Sequence, residues 1–456
     1  MAKYVVNYHI WMVLCQCPQD IGLRKETPMR TVLMLFASLA ITVAFAQSNI
    51  EFWYAFSDAP RSGWIQDRIA EFNEMHADSG YQVVGERKGS YRETLQAAVL
   101  AARQDNPPHL AQLFEVGSQL ALDSGIFEPI GSLGGIDLSD YIEPVINYYT
   151  IDGAVHSIPF NSSSPILYGN AQLMEAAGIE AMPETYGEVL EACALIAASD
   201  VEANCITFPL HGWFFEQWMA EQGAPLSNND NGRSARSTES YLDSEAAMNI
   251  GNFVAALAAD DYYTYTGKLE DWSGSEAIFA SQESVFFITS TADAGNITNN
   301  AQEAGFDVTT GLLPIADGAE RNGVVIGGAS VWLLAGHPQE ELEMARDFVL
   351  YMTNTENMVS WHKLTGYYPV RNSSVDVLNE TGWFEENPNF SIAFDQLLNT
   401  TPNTATAGAL LGSFLDTRTI VGEALQKIIN GESVEEALSQ AKELADARIE
   451  EYNSNF

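Results

Sequence analysis

Apolar positions alternate between short compact runs and helix-spaced stretches. Ile50-Glu-Phe-Trp-Tyr-Ala-Phe56 is followed by Ile65, Ile69 and Phe72 at helical spacing and then by Tyr81-Gln-Val-Val84, which predicts strand, helix, strand. The pattern recurs: Thr94–Arg103 reads as a helix, Leu110–Phe114 as a strand, Gly117–Asp123 as a helix and Pro159–Phe160 as the end of another strand. This order is typical of α/β domains.

A second block starts at Asn161, with helix-like Ala171–Ala177, a Pro183–Thr185 turn and helix-like Tyr186–Ala198. Gly and Asn dominate Gln222–Arg233, which predicts a surface loop before the helix-rich Ser244–Ala259. Strand-like Ser284–Thr289 and Val324–Ala335 follow. The last helix opens on the capping-box signature Ser433-x-x-Glu436, with Val434, Leu438, Ala441 and Ala445 on one face. A chain that goes out to a second α/β lobe, returns and goes out again produces this order, and two lobes joined by several crossings enclose a cleft that closes on a ligand. At 456 residues the chain exceeds one compact domain. The expected division is 47–159 plus about 289–338 for one lobe, and about 160–288 plus 339–456 for the other.

The first 46 residues stand apart. Residues 1–28 carry no core pattern and read as a non-native extension. From Met29, MRTVLMLFASLAITVAFAQS has one Arg, an apolar run and the small-x-small ending Ala44-Phe45-Ala46, the signature of a secretory signal peptide over 29–46. A membrane anchor fits less well, because Thr31–Ala46 is short for spanning. The mature chain then starts near Gln47 in a periplasmic setting.

Removing those residues takes four basic and two acidic groups from 21 and 61, so the formal charge moves from −40 to −42. Nucleic acid and anionic membranes are poor partners for such a chain. Cys193 and Cys205 are the two cysteines left, and their spacing fits either a disulfide or two separate buried thiols.

Motifs for chemistry are scarce. The seven histidines, 9, 76, 109, 156, 211, 337 and 362, show no metal-ligand spacing, so neither a protein-built metal site nor a cofactor is expected. No GxSxG elbow or Walker loop occurs, and Gly134-Gly135 and Gly327-Gly328 do not follow the dinucleotide pattern. An acid/base pair among 59 carboxylates has no spacing to pick it out, so no catalytic residue is assigned. Of Trp53, Trp64, Trp213, Trp218, Trp272, Trp332 and Trp361, most are expected in the core and some as platforms in a cleft.

Several separate, collinear motifs point further: Lys88-Gly-Ser-Tyr91, Glu115-Val-Gly117, Pro159-Phe-Asn-Ser-Ser-Ser-Pro165, Ile326-Gly-Gly-Ala-Ser-Val-Trp332, Trp361-His-Lys-Leu-Thr-Gly-Tyr-Tyr-Pro369 and Gly412-x5-Arg418. Through them the chain, from Phe52 to about Tyr452, resembles the periplasmic sn-glycerol-3-phosphate-binding proteins of ABC importers, within the larger group of extracellular sugar-binding proteins. Tyr168-x-Asn170 and Pro183-x-Thr-Tyr186 belong to sugar-binding proteins generally.

The resemblance implies a two-lobed, type II periplasmic-binding-protein fold with the ligand between the lobes. It implies capture and delivery to a membrane permease, with no bond made or broken, by a monomer. Carried over by position, the ligand contacts fall on Tyr91, Glu115, Ser163, Ser290, Gly328, Tyr367 and Arg418, with Trp213 as an aromatic platform. Arg418 offers a planar fork for phosphate, the serines and the Gly328 N–H donate to phosphate oxygens, and Glu115 accepts from glycerol hydroxyls.

The departure lies in Cys205-Ile-Thr-Phe-Pro-Leu-His-Gly-Trp213. The family has two tryptophans three apart there; Trp213 matches the second and Leu210 stands at the first, with Phe208 as the nearest substitute and no tryptophan available. Losing an indole widens the cleft, so a glycerophosphodiester such as glycerophosphocholine is as fitting a ligand as glycerol 3-phosphate. Two rival readings remain: a binder of neutral mono- or oligosaccharides, to be told apart by whether Arg418 lies in the cleft, and a periplasmic glycerophosphodiester hydrolase, whose usual metal ligands are not among the motifs.

Overall fold

The computed structural model describes residues 47–456. The extension, the signal peptide, and Cys15 and Cys17 lie outside the described residues. Strands β1 (Ser48–Tyr54), β2 (Tyr81–Arg87) and β3 (Leu110–Phe114) are parallel, with β1 in the middle. Local chemistry starts the helices between them. Helix α1 (Ala59–Met75) begins where the Asp58 side chain accepts the Arg61 N–H, and buries Trp64, Ile65, Ile69 and Phe72. Helix α2 (Tyr91–Ala102) begins at a full capping box of Ser90 and Glu93.

After β4 (Phe127–Glu128) and β5 (Ser157–Ser163) the chain leaves this sheet. Only Ser164 separates β5 from β6 (Pro165–Asn170), the first strand of a second sheet. With β7 (Asn204–Thr207), β8 (Ser284–Ser290) and β9 (Val308–Gly311) that sheet runs β9-β6-β8-β7, β8 being antiparallel to β6 and parallel to β7. The chain returns as β10 (Gly327–Leu334), antiparallel to β3, β4 and β5, giving the first sheet the order β2-β1-β3-β10-β4 with β5 also on β10. Strands β3, β5, β6 and β8 are buried along their whole length, as strands covered on both faces are.

Helices α3 (Tyr186–Ala198), α4 (Gly212–Glu221), α5 (Glu245–Ala259) and α6 (Trp272–Ala280) belong to the second excursion, α3 opening on a capping box of Thr185 and Glu188. After β10, helix α7 (Gln339–Met352) lies on β1, β2 and β10, and α8 (Thr355–Thr365) touches α1. Helices α9 (Phe414–Ile429) and α10 (Val434–Asn453) pack with α5, and α9 also with α4. The expected α/β architecture with two sheets and repeated crossings is the one observed, but the expected division is not: β9, within 289–338, pairs in the second sheet, and α7, within 339–456, packs on the first. Among the described residues no helix is long and apolar enough to cross a membrane.

Three local features refine the sequence reading. Cys193 of α3 and Cys205 of β7 are joined in a disulfide, their Cα atoms 5.1 Å apart. The Gln222–Arg233 loop contains Asn229, Asp230 and Asn231 in succession at φ 56°, 53° and 59°, a left-handed turn that Asn and Asp tolerate better than other side chains. Ser433 caps α10 by accepting the Glu436 N–H at 3.2 Å, without a return bond from the Glu436 side chain among the described residues.

Glu221, the last residue of α4, is fully buried against the segment that returns from β9 to β10, with Arg321 Nη1 at 3.2 Å. Burial pushes its carboxyl up to about 7 despite Arg321, from 4.5. The folded state therefore binds the extra proton between those values, so this group's stabilising contribution is present below pH 4.5 and is lost as pH rises through 7. At 1.36 kcal/mol per unit the loss is about 3 kcal/mol. Glu221→Gln is expected to remove that dependence and to match or exceed the parent at pH 8; denaturant unfolding at pH 5 and pH 8 checks it.

Candidate functional site

In open α/β sheets ligands gather beyond the carboxyl ends of parallel strands. Here the segment after β2 delivers Tyr91, the end of β3 delivers Glu115, and the end of β5 delivers Ser163. From the other sheet β8 ends in Ser290, and the chain beyond β7 reaches Trp213 in α4. Because a single residue joins β5 to β6, these ends face one another across a cavity of about 440 Å³. Tyr91, Glu115, Ser163, Trp213, Ser290, Gly328, Tyr367 and Arg418 all line it.

The polar centre is an ion network. Arg418, on α9, donates from Nε to Glu216 Oε1 at 2.6 Å and from Nη2 to Glu216 Oε2 at 2.8 Å and to Glu115 Oε1 at 2.6 Å. Burial alone would pull the guanidinium's pKa down; Glu216 and Glu115 outweigh it, so the group stays charged. Burial raises Glu216 even against Arg418's attraction. The other terminal nitrogen, Nη1, makes no hydrogen bond to a described residue, and Glu115 bonds Arg418 through Oε1 alone. Helices α4 and α9 approach closely enough for this because of Gly212, where a Cβ would sit 2.6 Å from the Arg418 backbone.

Around this centre the walls are built from both sheets. Asn161 Nδ2 donates to the Tyr91 hydroxyl at 2.7 Å, that hydroxyl lies 3.5 Å from the one on Tyr367, and the Tyr367 ring stacks on Trp361 at 5.6 Å. Ser290 Oγ accepts the Ala292 N–H at 3.1 Å, and Ser163 is buried at the crossing. Gly328 has φ +98°, and a Cβ there would lie 1.9 Å from the Asn161 carbonyl, so only glycine fits this approach to the cavity.

The aromatic wall corrects the sequence reading at Leu210. Leu210 is fully buried and does not line the cavity, and Phe208 packs on Trp218 and Tyr263 instead. A tryptophan is available all the same: Trp272, the first residue of α6, stands 5.9 Å from Trp213 and lines the cavity. No local pattern ties residue 272 to residue 213. Arg61, Arg92, His211, Glu270 and Asp293 also line the cavity and were not picked out. Arg61 lies in the first turn of α1, and none of these five positions carried a signal of its own in the sequence. His211 Nδ1 accepts the Trp213 N–H at 2.9 Å, capping α4, and burial beside Arg418 lowers the ring to about 3, so it is neutral.

At the opposite end of β3 the fold brings together His109, His337 and Glu341, which sequence spacing did not connect. His109 Nδ1 accepts the Glu51 N–H at 3.1 Å, so Nε2 of the neutral ring carries its proton and donates to Glu341 at 3.2 Å. That tautomer is a hydrogen-bonded one, unsuited to ligation through Nε2.

Comparison with known proteins places this geometry. The family model of bacterial extracellular solute-binding proteins matches residues 67–392. The chain is 30% identical over 442 residues to the sn-glycerol-3-phosphate-binding periplasmic protein UgpB of Rhizobium meliloti, covering 92% of this chain and all of the relative. It is also 30% identical over 431 residues to the protein of that name from Salmonella paratyphi A, covering 91% and 95%. Among solved structures, UgpB from Mycobacterium tuberculosis in complex with glycerophosphocholine has a TM-score of 0.74 at 21% identity, over 89% of this chain and 99% of that one. The GacH receptor of Streptomyces glaucescens, solved unliganded and with acarbose, has the same TM-score at 16% identity and the same coverages.

Removing Arg418 leaves Glu115 and Glu216 buried without a partner. Arg418→Ala is expected to cost about 3–5 kcal/mol of unfolding free energy, and Arg418→Lys less, in denaturant titrations without ligand. Equal stability of Arg418→Ala and the parent would contradict the network.

Proposed function

The chain belongs to the bacterial extracellular solute-binding proteins, and from that membership we propose that it captures a glycerophosphate, either glycerol 3-phosphate or a glycerophosphodiester, for an ABC importer. On this reading the protein is exported by the signal peptide over 29–46, works in the periplasm as a monomer and hands its ligand to membrane permease subunits. The two lobes close on the ligand and no bond is broken.

The observation that carries the reading is the convergence of eight positions, drawn from both sheets, from α2, α4 and α9 and from the segment after α8, on one cavity with a charged arginine among them. Arg418 Nη1 supplies a fixed donor for a phosphate oxygen. Ser163, Ser290 and the Gly328 N–H are placed to add neutral donors, and Tyr91 and Tyr367 to cover the glycerol carbons while binding its hydroxyls. The neutral-sugar alternative turned on Arg418 lying outside the cleft, and it lines the cavity. For the hydrolase alternative, Glu115 and Glu216 are engaged with Arg418, which leaves them poorly suited to act as an acid/base pair.

Calorimetric titration with glycerol 3-phosphate, glycerophosphocholine and maltose tests this. Binding of at least one phosphate ligand is expected, weakened about tenfold or more in Arg418→Lys, which keeps the charge but loses the fork. Binding of maltose alone would overturn it. Release of free glycerol 3-phosphate from the diester would revive the hydrolase.

A further inference from the structure

Behind the wall that carries Tyr91, two amide side chains stand in line. Gln112, on β3, and Asn161, on β5, are both fully buried, and neither lines the cavity. The Ala55 N–H donates to Gln112 Oε1 at 2.9 Å, Gln112 Nε2 donates to Asn161 Oδ1 at 2.7 Å, and Asn161 Nδ2 donates to the Tyr91 hydroxyl at 2.7 Å. The row runs from the backbone just past β1, through β3 and β5, to a residue at the cavity. Asn161 sits opposite Ala329 of β10, where the pairing of β5 with β10 slips and passes over Phe160. Bulges of this kind re-aim a side chain.

The direction of the row is fixed at one end. An amide side chain can present either its oxygen or its NH2 group, so a row of amides has no direction of its own. A backbone N–H cannot turn round. Ala55 requires an acceptor, which puts the Gln112 oxygen toward it and the Gln112 NH2 group toward Asn161. Asn161 then answers with its oxygen and sends its NH2 group to Tyr91. Reversing a single link would set two oxygens or two NH2 groups against each other in the interior, where an unmet polar group is costly. The Tyr91 oxygen is therefore an acceptor toward the protein, and its proton is left for the other side. Its one remaining partner among the described residues is the Tyr367 hydroxyl at 3.5 Å, a long contact that an acceptor atom in the cavity can displace.

We propose that Gln112 and Asn161 are positioning residues for ligand capture, a buried amide relay that presets the Tyr91 hydroxyl as a proton donor toward the cavity. The proposal rests on the capture reading above for its consequence in binding, while the direction of the relay is a property of the protein without ligand.

Two experiments test it. Neutron diffraction from the perdeuterated protein without ligand locates the exchangeable atoms; the Asn161 amide is expected to point its deuterons at Tyr91, and the Tyr91 deuteron to point away from Asn161. A Tyr91 deuteron directed at Asn161 Oδ1 would overturn the relay. The second experiment is calorimetry of Gln112→Glu against the parent at pH 5 and pH 9, with glycerophosphocholine as the probe because its diester phosphate keeps one charge across that range. Protonated, the introduced carboxyl still accepts from Ala55 and donates to Asn161. Ionised, it can only accept, so Asn161 turns its NH2 group inward and its oxygen to Tyr91, which then donates to the protein and not to the ligand. Affinity relative to the parent is expected near parity at pH 5 and about tenfold lower at pH 9, with that loss absent when both proteins also carry Tyr91→Phe. Parity at both pH values, or a loss that persists without the Tyr91 hydroxyl, would overturn the relay, since damaged packing does not need that hydroxyl. Failure of the parent to bind either glycerophosphocholine or glycerol 3-phosphate would overturn the glycerophosphate reading instead, and the neutron result alone would then decide the relay.

Discussion

Arg418 bonds a carboxylate from each side of the cleft: Glu115, at the end of a strand in the first sheet, and Glu216, on a helix beside the second. The partners lie 303 and 202 residues away in sequence, so the contact exists only if both lobes fold and meet correctly. Three charges buried together cost desolvation that their attraction offsets only in good geometry. That geometry is enforced by Gly212, which lets two helices touch at Arg418, and by the single residue linking β5 to β6. The same network fixes what the cavity can hold. One guanidinium edge stays available, while the carboxylates that steady it cancel the charge a strongly anionic ligand would need.

Much of the scaffold was legible because it is specified locally. Ser433-x-x-Glu436 marks a helix start by motif, the Pro183–Thr185 turn precedes the helix that opens at Tyr186, and Leu110–Phe114 reads as a strand from its apolar run, whereas the start at Tyr91 lies three residues before the expected Thr94. All eight named site positions reach the cavity, but they came from resemblance to a family, and nothing in their own neighbourhoods distinguishes Ser163 or Ser290 from an ordinary loop serine. What stayed hidden is non-local. Trp272 joins Trp213 at the cavity from 59 residues further along the chain, and Glu216 becomes part of the site only through a helix crossing. Likewise the Cys193–Cys205 bond depended on a Cα separation that no spacing supplies.

The chain's charge of −40 also bears on the ligand. An acidic surface slows the approach of an anion at low ionic strength and matters less when salt shortens the Debye length. A zwitterion is nearly indifferent to this field. Recognition rests instead on fixed local donors and aromatic faces.

A crystal structure of the protein with glycerophosphocholine tests the account most directly. The expected result is a phosphate oxygen within hydrogen-bonding distance of Arg418 Nη1, between the two sheets. A bound ligand whose phosphate makes no contact with Arg418 would contradict it.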